Sequence, residues 1–153
     1  MTDIKKEFQR VFEFVVKHGP KINWPNRSIK NFLIWAWDNK HLQILYDGQG
    51  DSKRIAAVAI VWQQDHPENV YENFENYDDK EGDYLSVYGV IVHPEYRHRG
   101  CLLMLLIMSL AEYPKVKKVF WNTHARGKTG LRITDITTLG RELLKGANHV
   151  IRK

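Results

Sequence analysis

The chain has 153 residues, with 43% apolar and 12% aromatic side chains and a formal net charge of +5. That length suits one sizeable core rather than two, and the composition is too apolar for a disordered chain, so residues 1–153 are expected to form a single domain. The longest apolar run, residues 102–110 broken only by Ser109, falls far below the ~20 residues of a membrane-spanning helix, and a lone cysteine, Cys101, excludes an internal disulfide and an all-cysteine metal site.

Ile4, Phe8, Val11, Phe12, Val15 and Val16 recur at helical spacing between a Thr2/Asp3 cap and a Gly19-Pro20 stop, which predicts a first helix. The same stretch carries Asp3, Lys5, Lys6, Glu7, Arg10 and Glu13, so it reads as an amphipathic helix rather than a secretory leader, and the reducing cytoplasm is the expected setting. A second helix is expected over residues 27–38, with Ile29, Phe32, Leu33 and Ala36 on one side. Residues 41–47 and 54–64 read as a hairpin around a Gly/Asp turn, and the small and β-branched run 55–62 marks its second strand as central.

Residues 65–82 show neither strand alternation nor a sustained helical stripe, and 65–83 hold eight of the 18 acidic residues against Lys80 alone. A loop above ~12–15 residues is usually functional or mobile, so this acidic excursion covers a site, repels anions from it, or attracts a basic substrate. A β-rich run follows at 84–93, in which Gly89 suggests a bulge or the close approach of another group. An apolar helix over 100–113, a strand over 116–123, a Gly/basic loop at 126–130 and a helix from about 135 to 145, capped by Thr134 or Asp135 and stopped by Gly146, complete the chain.

The run Val92-His93-Pro94-Glu95-Tyr96-Arg97-His98-Arg99-Gly100-Cys101-Leu102 joins a strand to a helix. The first turn of a helix leaves backbone N–H groups unpaired at the positive end of the macrodipole, which makes it a natural anion site. Gly100 removes a side chain that would block a phosphate, and Arg97, His98 and Arg99 add cationic groups at the rim.

This turn resembles the hallmark of the GNAT superfamily of acyl-CoA-dependent N-acyltransferases, Q/R-x-x-G-x-G/A between a bulged strand and a helix. Here it reads Arg97-His98-Arg99-Gly100-Cys101-Leu102, with Leu102 where the family prefers Gly or Ala. The lead-in from Val92 to Arg97 is similar to the family phrase V-x-P-x-Y-R, and Leu103, Leu105 and Leu106 stand where that family's helix packs on its sheet. The likeness covers residues 84–123; upstream, only the order of two helices, a hairpin and a central strand agrees.

The resemblance implies an α/β (α+β) fold, a mixed and mostly antiparallel twisted sheet flanked by helices, and an N-acetyltransferase that passes an acetyl group from acetyl-CoA directly to an amine, with no metal. It implies that the amides from His98 through Arg99, Gly100 and Cys101 to Leu102, with Arg97 beside them, hold the CoA pyrophosphate. It also implies that the strand edge at Val90, Ile91 and Val92 bonds the pantetheine arm, and that a bulge near Gly89 opens a slot for the thioester. Asn122 is a strand-end residue bonding the backbone, or a cofactor contact.

A lysine-like amine with pKa ~10.4 must lose a proton to attack. The family places a polar group on the bulged strand and a tyrosine acid beyond the next one. Here the strand offers Ser86 and Tyr88, and the region after Thr123 offers His124 but no tyrosine; Tyr88 and His124 are therefore the catalytic candidates. The acceptor is unassigned, and the acidic excursion suits a cationic one.

From Arg97 to the end there are 12 Lys or Arg against three acids, which suits a polyanion. The alternative to the enzyme is a non-catalytic GNAT-fold protein or nucleic-acid-binding module using this basic face, with Trp and His as stacking groups. Gly127-Lys128-Thr129 lacks the earlier glycine of a phosphate-binding P-loop, Asn122 standing in its place. The histidines show no metal-ligand spacing, and Cys101 fits small-core packing better than nucleophilic chemistry.

Overall fold

The run 55–62 forms an interior strand of the sheet, paired on both sides, as its β-branched and small residues dictate, in a computed structural model that describes residues 2–19, 25–50, 53–68, 74–97, 99–123 and 130–151. Two helices come first, α1 (Thr2–His18) and α2 (Asn26–Asp38). Lys40, at φ 61°, then turns the chain into β1 (Leu42–Asp47), which pairs antiparallel with β2 (Arg54–Gln64). β3 (Tyr84–Val92), α3 (Cys101–Glu112), β4 (Lys118–Thr123), β5 (Gly130–Asp135) and α4 (Ile136–Ile151) follow. The described strands form one five-stranded sheet in the order β1-β2-β3-β4-β5. Every neighbouring pair is antiparallel except β3–β4. The sheet is thus mixed and mostly antiparallel, as expected.

Alternation along β2 assigns the two faces. Ala57, Ala59 and Val61 pack toward Leu105 and Leu106 of α3, with Leu139 and Leu143 of α4 against the same cluster. On the opposite face Val58 packs with Val11 and Phe14 of α1, and Ile60 and Trp62 pack with Leu33 and Ala36 of α2.

Two elements depart from the expectations. β5 was not foreseen: Leu131 and Ile133 alternate with Arg132 and Thr134, but six residues with two of the apolar ones exposed give a weak signal, and the strand exists because it completes the exposed edge of β4. α4 does not stop at Gly146 but continues to Ile151; a glycine inside a helix costs only about 1 kcal/mol relative to alanine. Its start is as expected, since an Asp135 carboxylate oxygen accepts the Thr138 N–H at 2.8 Å, which holds that carboxyl below the usual range.

The acidic excursion is tied to the core at several points. The Asp79 N–H donates to the Gln63 carbonyl at 2.9 Å, the fully buried Gln64 donates to the carbonyls of His66 and Glu68, and Phe74, in a short 3-10 turn (Phe74–Asn76), packs against Trp62. Residues 69–73 lie outside the described residues.

Candidate active site

Between β3 and β4 the ladder is short. Tyr84, Leu85, Ser86 and Val87 pair with Lys118, Val119, Phe120 and Trp121; past that row β3 pairs only with β2, while Asn122 and Thr123 pair only with β5. The strands part at Val87 and Trp121. One cause lies in the β2–β3 register, where Ile60 faces Gly89 but the next residue, Val61, faces Val87, so Tyr88 is the extra residue of a bulge. A bulge bends its strand and sharpens its twist, which carries the upper half of β3 away from β4.

Beyond the bulge the backbone alternates. The His93 N–H donates to the Ala56 carbonyl at 2.8 Å, so His93 and, by period two, Ile91 direct their main-chain groups at β2. Val90 and Val92 therefore present theirs to the cleft. Ile91 also turns its side chain away, into the core beneath α1.

The turn closing the top of the cleft is internally braced. Pro94 starts a single 3-10 turn (Pro94–Tyr96), His93 accepts the Glu95 N–H on Nδ1 at 3.1 Å, and the buried Tyr96 donates its hydroxyl to Asp47 of β1 at 2.6 Å. That hydrogen bond, followed by desolvation, raises the Tyr96 pKa. The Arg99 guanidinium lies 5.8 Å from the Tyr96 ring centroid, and Arg54 pairs with Glu95 at 3.0 Å.

Gly100 is the N-cap of α3 at φ 79°, a left-handed conformation that a side chain strains, and it offers no capping side chain. The first internal bond of α3 runs from the Met104 N–H to the Gly100 carbonyl at 3.1 Å. The amides of Cys101, Leu102 and Leu103 consequently have no acceptor within the helix. They stand at the positive end of its dipole, flanked by the exposed Arg97 and Arg99.

Below the turn lies a cavity of about 380 Å³, lined by Gly89 and Val90 from β3, Leu102 and Ser109 from α3, Trp121 and Asn122 from β4 and Leu139 from α4, among others. The fold that carries this arrangement is similar to that of solved structures. The loading GNATL domain of CurA from Lyngbya majuscula matches at 15% identity with a TM-score of 0.55, over 77% of this chain and 60% of that one. The GphF GNAT-like decarboxylase in complex with isobutyryl-CoA matches at 11% identity with a TM-score of 0.55, over 76% of this chain and 61% of that one. The fold is GNAT-like. The chain thus spans under two thirds of the length of either relative. No protein-family model and no curated protein sequence matches it.

In this GNAT-like frame the expected residues fall into groups. Val90, Asn122 and Leu102 line the cavity, whereas Val92 reaches the cleft by its main chain and Arg97 and Arg99 stand at its rim. Leu102, where the family prefers Gly or Ala, is 47% exposed and borders the cavity. Cys101 points inward: its thiol donates to the Tyr96 carbonyl at 3.5 Å, and burial pushes its pKa up. Only its main chain faces the turn, and the thiol is the small-core group expected. Tyr88 lines the cavity while its ring packs 5.0 to 5.5 Å from Phe32, Phe74 and Trp62 on the α1/α2 face. His98 and His124 lie outside the described residues.

Trp121 also lines the cavity, and Ser109, Leu139 and Leu143 do so without having been singled out from the sequence. The i, i+4 pair Leu139/Leu143 was a readable helix-face signal; Ser109 was not, since a serine breaking an apolar run reads as an interruption. Among the described residues no cluster of His, Cys, Asp or Glu fits a metal ion, and no helix is long and apolar enough to cross a membrane. Among the described basic residues of the second half, Lys115 pairs with Glu81 at 3.1 Å and Arg132 lies over Trp121.

Proposed function

We propose that this protein is an acyl-CoA-dependent N-acyltransferase, with acetyl the simplest acyl group moved and an amine as acceptor. The observation that carries this reading is the parting of β3 and β4 above Val87 and Trp121, directly beneath the unpaired amides that follow Gly100. A diphosphate would sit against the N–H groups of Cys101, Leu102 and Leu103, its charge complemented by Arg97 and Arg99. The pantetheine amides would then pair with the main chain of Val90 and Val92, and the thioester would reach the bulge.

At the bulge, main-chain N–H groups released from the β2 ladder supply donors for the oxyanion that forms when an amine attacks the thioester carbonyl. The C–N bond forms, the tetrahedral adduct collapses with cleavage of the C–S bond, and CoA leaves as the thiol once the amine's proton has been relayed to it. Tyr88, the extra residue of the bulge, is the first candidate to relay that proton, although its ring packs among Phe32, Phe74 and Trp62; His124 remains the second candidate. The acidic segment 65–83 supports a cationic acceptor.

Saturating acetyl-CoA, at about 100 times its Kd, is expected to add about 2.7 kcal/mol to the folding stability, read as a rise of roughly 5–10 °C in Tm for a chain of this size. Gly100→Glu places a strained carboxylate in the cradle and is expected to abolish that rise. A folded wild-type protein whose Tm is indifferent to both CoA and acetyl-CoA would overturn the proposal.

A further inference from the structure

α3 carries no charged side chain from Cys101 to Ala111, and its one polar residue there, Ser109, is buried and donates its hydroxyl to the Leu105 carbonyl of the same helix at 2.7 Å. A helix lying on a sheet needs an apolar stripe on one side only, and the opposite side is ordinarily polar. Here Leu105 and Leu106 are buried toward the sheet, yet the side turned to solvent presents Met104 and Ile107, 46% and 51% exposed, with Ala111 one turn further on. Spacings of three and four residues set these three in one ridge.

α4 lies beside α3 on the same face of the sheet, since Leu106 of one and Leu139 and Leu143 of the other line a common cavity. It runs back along β5: the Ile136 N–H donates to the Lys117 carbonyl below the start of β4, and Leu143 reaches the level of Gly89. A strand, a helix and a parallel strand connect by a right-handed crossover. With β3-α3-β4 wound in that hand, helical periodicity turns Leu103 and Leu110 of α3 toward α4, with Ile107 at their rim, and Gly140 and Leu144 of α4 toward α3.

Leu144 is 49% exposed, and a Cβ added at Gly140 meets no atom within 4 Å, so the outer space between the two helices is an open, apolar groove. Its α4 bank is basic. Arg141 and Lys145, each one position past a groove residue, are exposed. Glu112 and Glu142 are exposed too, but each lies two positions from a groove residue, roughly 160° round its helix, on the flank turned away.

We propose that this groove docks an amphipathic helix of another polypeptide, with an apolar edge that packs on Met104, Ile107 and Leu144 and acidic side chains that meet Arg141 and Lys145. The charges choose the occupant. A second copy of this chain would set its own basic bank against Arg141 and Lys145, or bury those cations against apolar side chains, and either is unfavourable. A lipid surface fits less well. Among the described residues the outward sides of α3 and α4 hold no Trp, Tyr or Phe to anchor in a headgroup layer, and two cations fall short of the roughly 4–8 of a lipid-binding basic cluster. Docking here is independent of what the cleft between β3 and β4 binds.

The test is fluorescence anisotropy of the intact protein with two synthetic helical peptides of about 18 residues, about five turns. Both carry the same leucine stripe, and the remaining face is glutamate-rich in one and lysine-rich in the other. The acidic peptide is expected to bind at least about tenfold more tightly, with an advantage that shrinks as salt rises. Ile107→Glu, at a side chain already half in solvent, is expected to weaken the acidic peptide about tenfold or more. Met104→Gln, which adds no charge, is expected to weaken it severalfold. Arg141→Glu combined with Lys145→Glu is expected to reverse the preference between the peptides.

Equal affinity for the two peptides, or none for either, overturns the inference. So does a dimer in sedimentation equilibrium that Ile107→Glu dissociates, since the occupant is then a second copy. Binding to phosphatidylserine vesicles in place of the acidic peptide overturns it as well.

Discussion

On the α1/α2 face of β2 and β3, Trp62 is fully buried and its ring centroid lies 5.5 to 5.7 Å from Tyr88, Phe74 and Trp35. On the other face of the same two strands, Ala57, Ala59, Val61 and Leu85 meet the leucines of α3 and α4, and a cavity of about 380 Å³ remains. The backbone ladders are common to both faces, so the difference comes from side-chain volume alone. Interlocking rings close one side, whereas on the other the aliphatic cluster borders the cavity. The face closed by interlocking rings is thus not the one that borders the cavity.

Truncation on the two faces gives the strongest test of this contrast. Trp62→Ala is expected to cost about 3–5 kcal/mol, because four aromatic neighbours would line a new void. Leu106→Ala, at a residue already bordering the cavity, is expected at the low end of its class, about 2 kcal/mol. Urea melts read both values, and a Leu106→Ala loss as large as that of Trp62→Ala would erase the distinction between the faces.

A polar tie at the lower edge of the aromatic face comes next. His41, 3% exposed, bridges the Tyr113 hydroxyl at 2.6 Å and the Asp78 carboxylate at 2.8 Å, and Tyr113 also donates to the Lys40 carbonyl. His41→Phe keeps a ring against Trp35 and Trp62 but leaves two polar groups facing apolar surface, an expected cost of about 1–3 kcal/mol. In a double-mutant cycle, Tyr113→Phe added to His41→Phe is expected to cost less than the sum of the two alone. Strict additivity would mean that the tie carries no coupling.

Much of this arrangement is legible in the sequence, and the illegible part has a physical cause. Helical periodicity in 4–16 and the β-branched run 55–62 locate α1 and the central strand, and Gly89 marks the bulge to within one residue, since the inserted position is Tyr88. The turn at Gly100 is readable because a left-handed helix N-cap is a local backbone feature that a glycine marks. β5 escapes because its stability lies in pairing with β4 rather than in its own residues. The cavity escapes for a similar reason: it is a property of distances between elements remote in sequence, and no short motif encodes it.

Gly89 separates folding from binding more finely. A Cβ added there meets no atom within 4 Å, although the residue lines the cavity and follows the bulge. Gly89→Ala is therefore expected to leave the unliganded stability unchanged or to raise it by up to about 1 kcal/mol, through the lower entropy of the unfolded chain. The methyl would share the α1/α2 face with Ile60, its ladder partner, so the Tm rise produced by CoA is expected to be unchanged, and a diminished rise would place part of the ligand on that face of the strand.

The smallest expected effect lies at the upper end of the aromatic face, where His18 at the end of α1 meets His93 with ring centroids 4.6 Å apart. Burial lowers the pKa of His18, helped by His93, Lys17 and Arg97, so the folded protein resists a proton that the unfolded chain accepts near its ordinary pKa of about 6.5. As pH falls below that value the unfolded state takes up more protons, and the contribution of His18 makes the fold less stable; above it the imidazole is neutral in both states and no penalty exists. His66 acts in the opposite direction, because its bonds to Glu68 and Asp65 raise its pKa and add stability that is lost as pH rises through the raised value. The net curve mixes the two, so the informative quantity is a difference. Between pH 7.5 and 5.5, His18→Asn is expected to lose less Tm than the wild type, and His66→Asn more. An identical pH response in His18→Asn and wild type would mean that the contact with His93 does not discourage the proton.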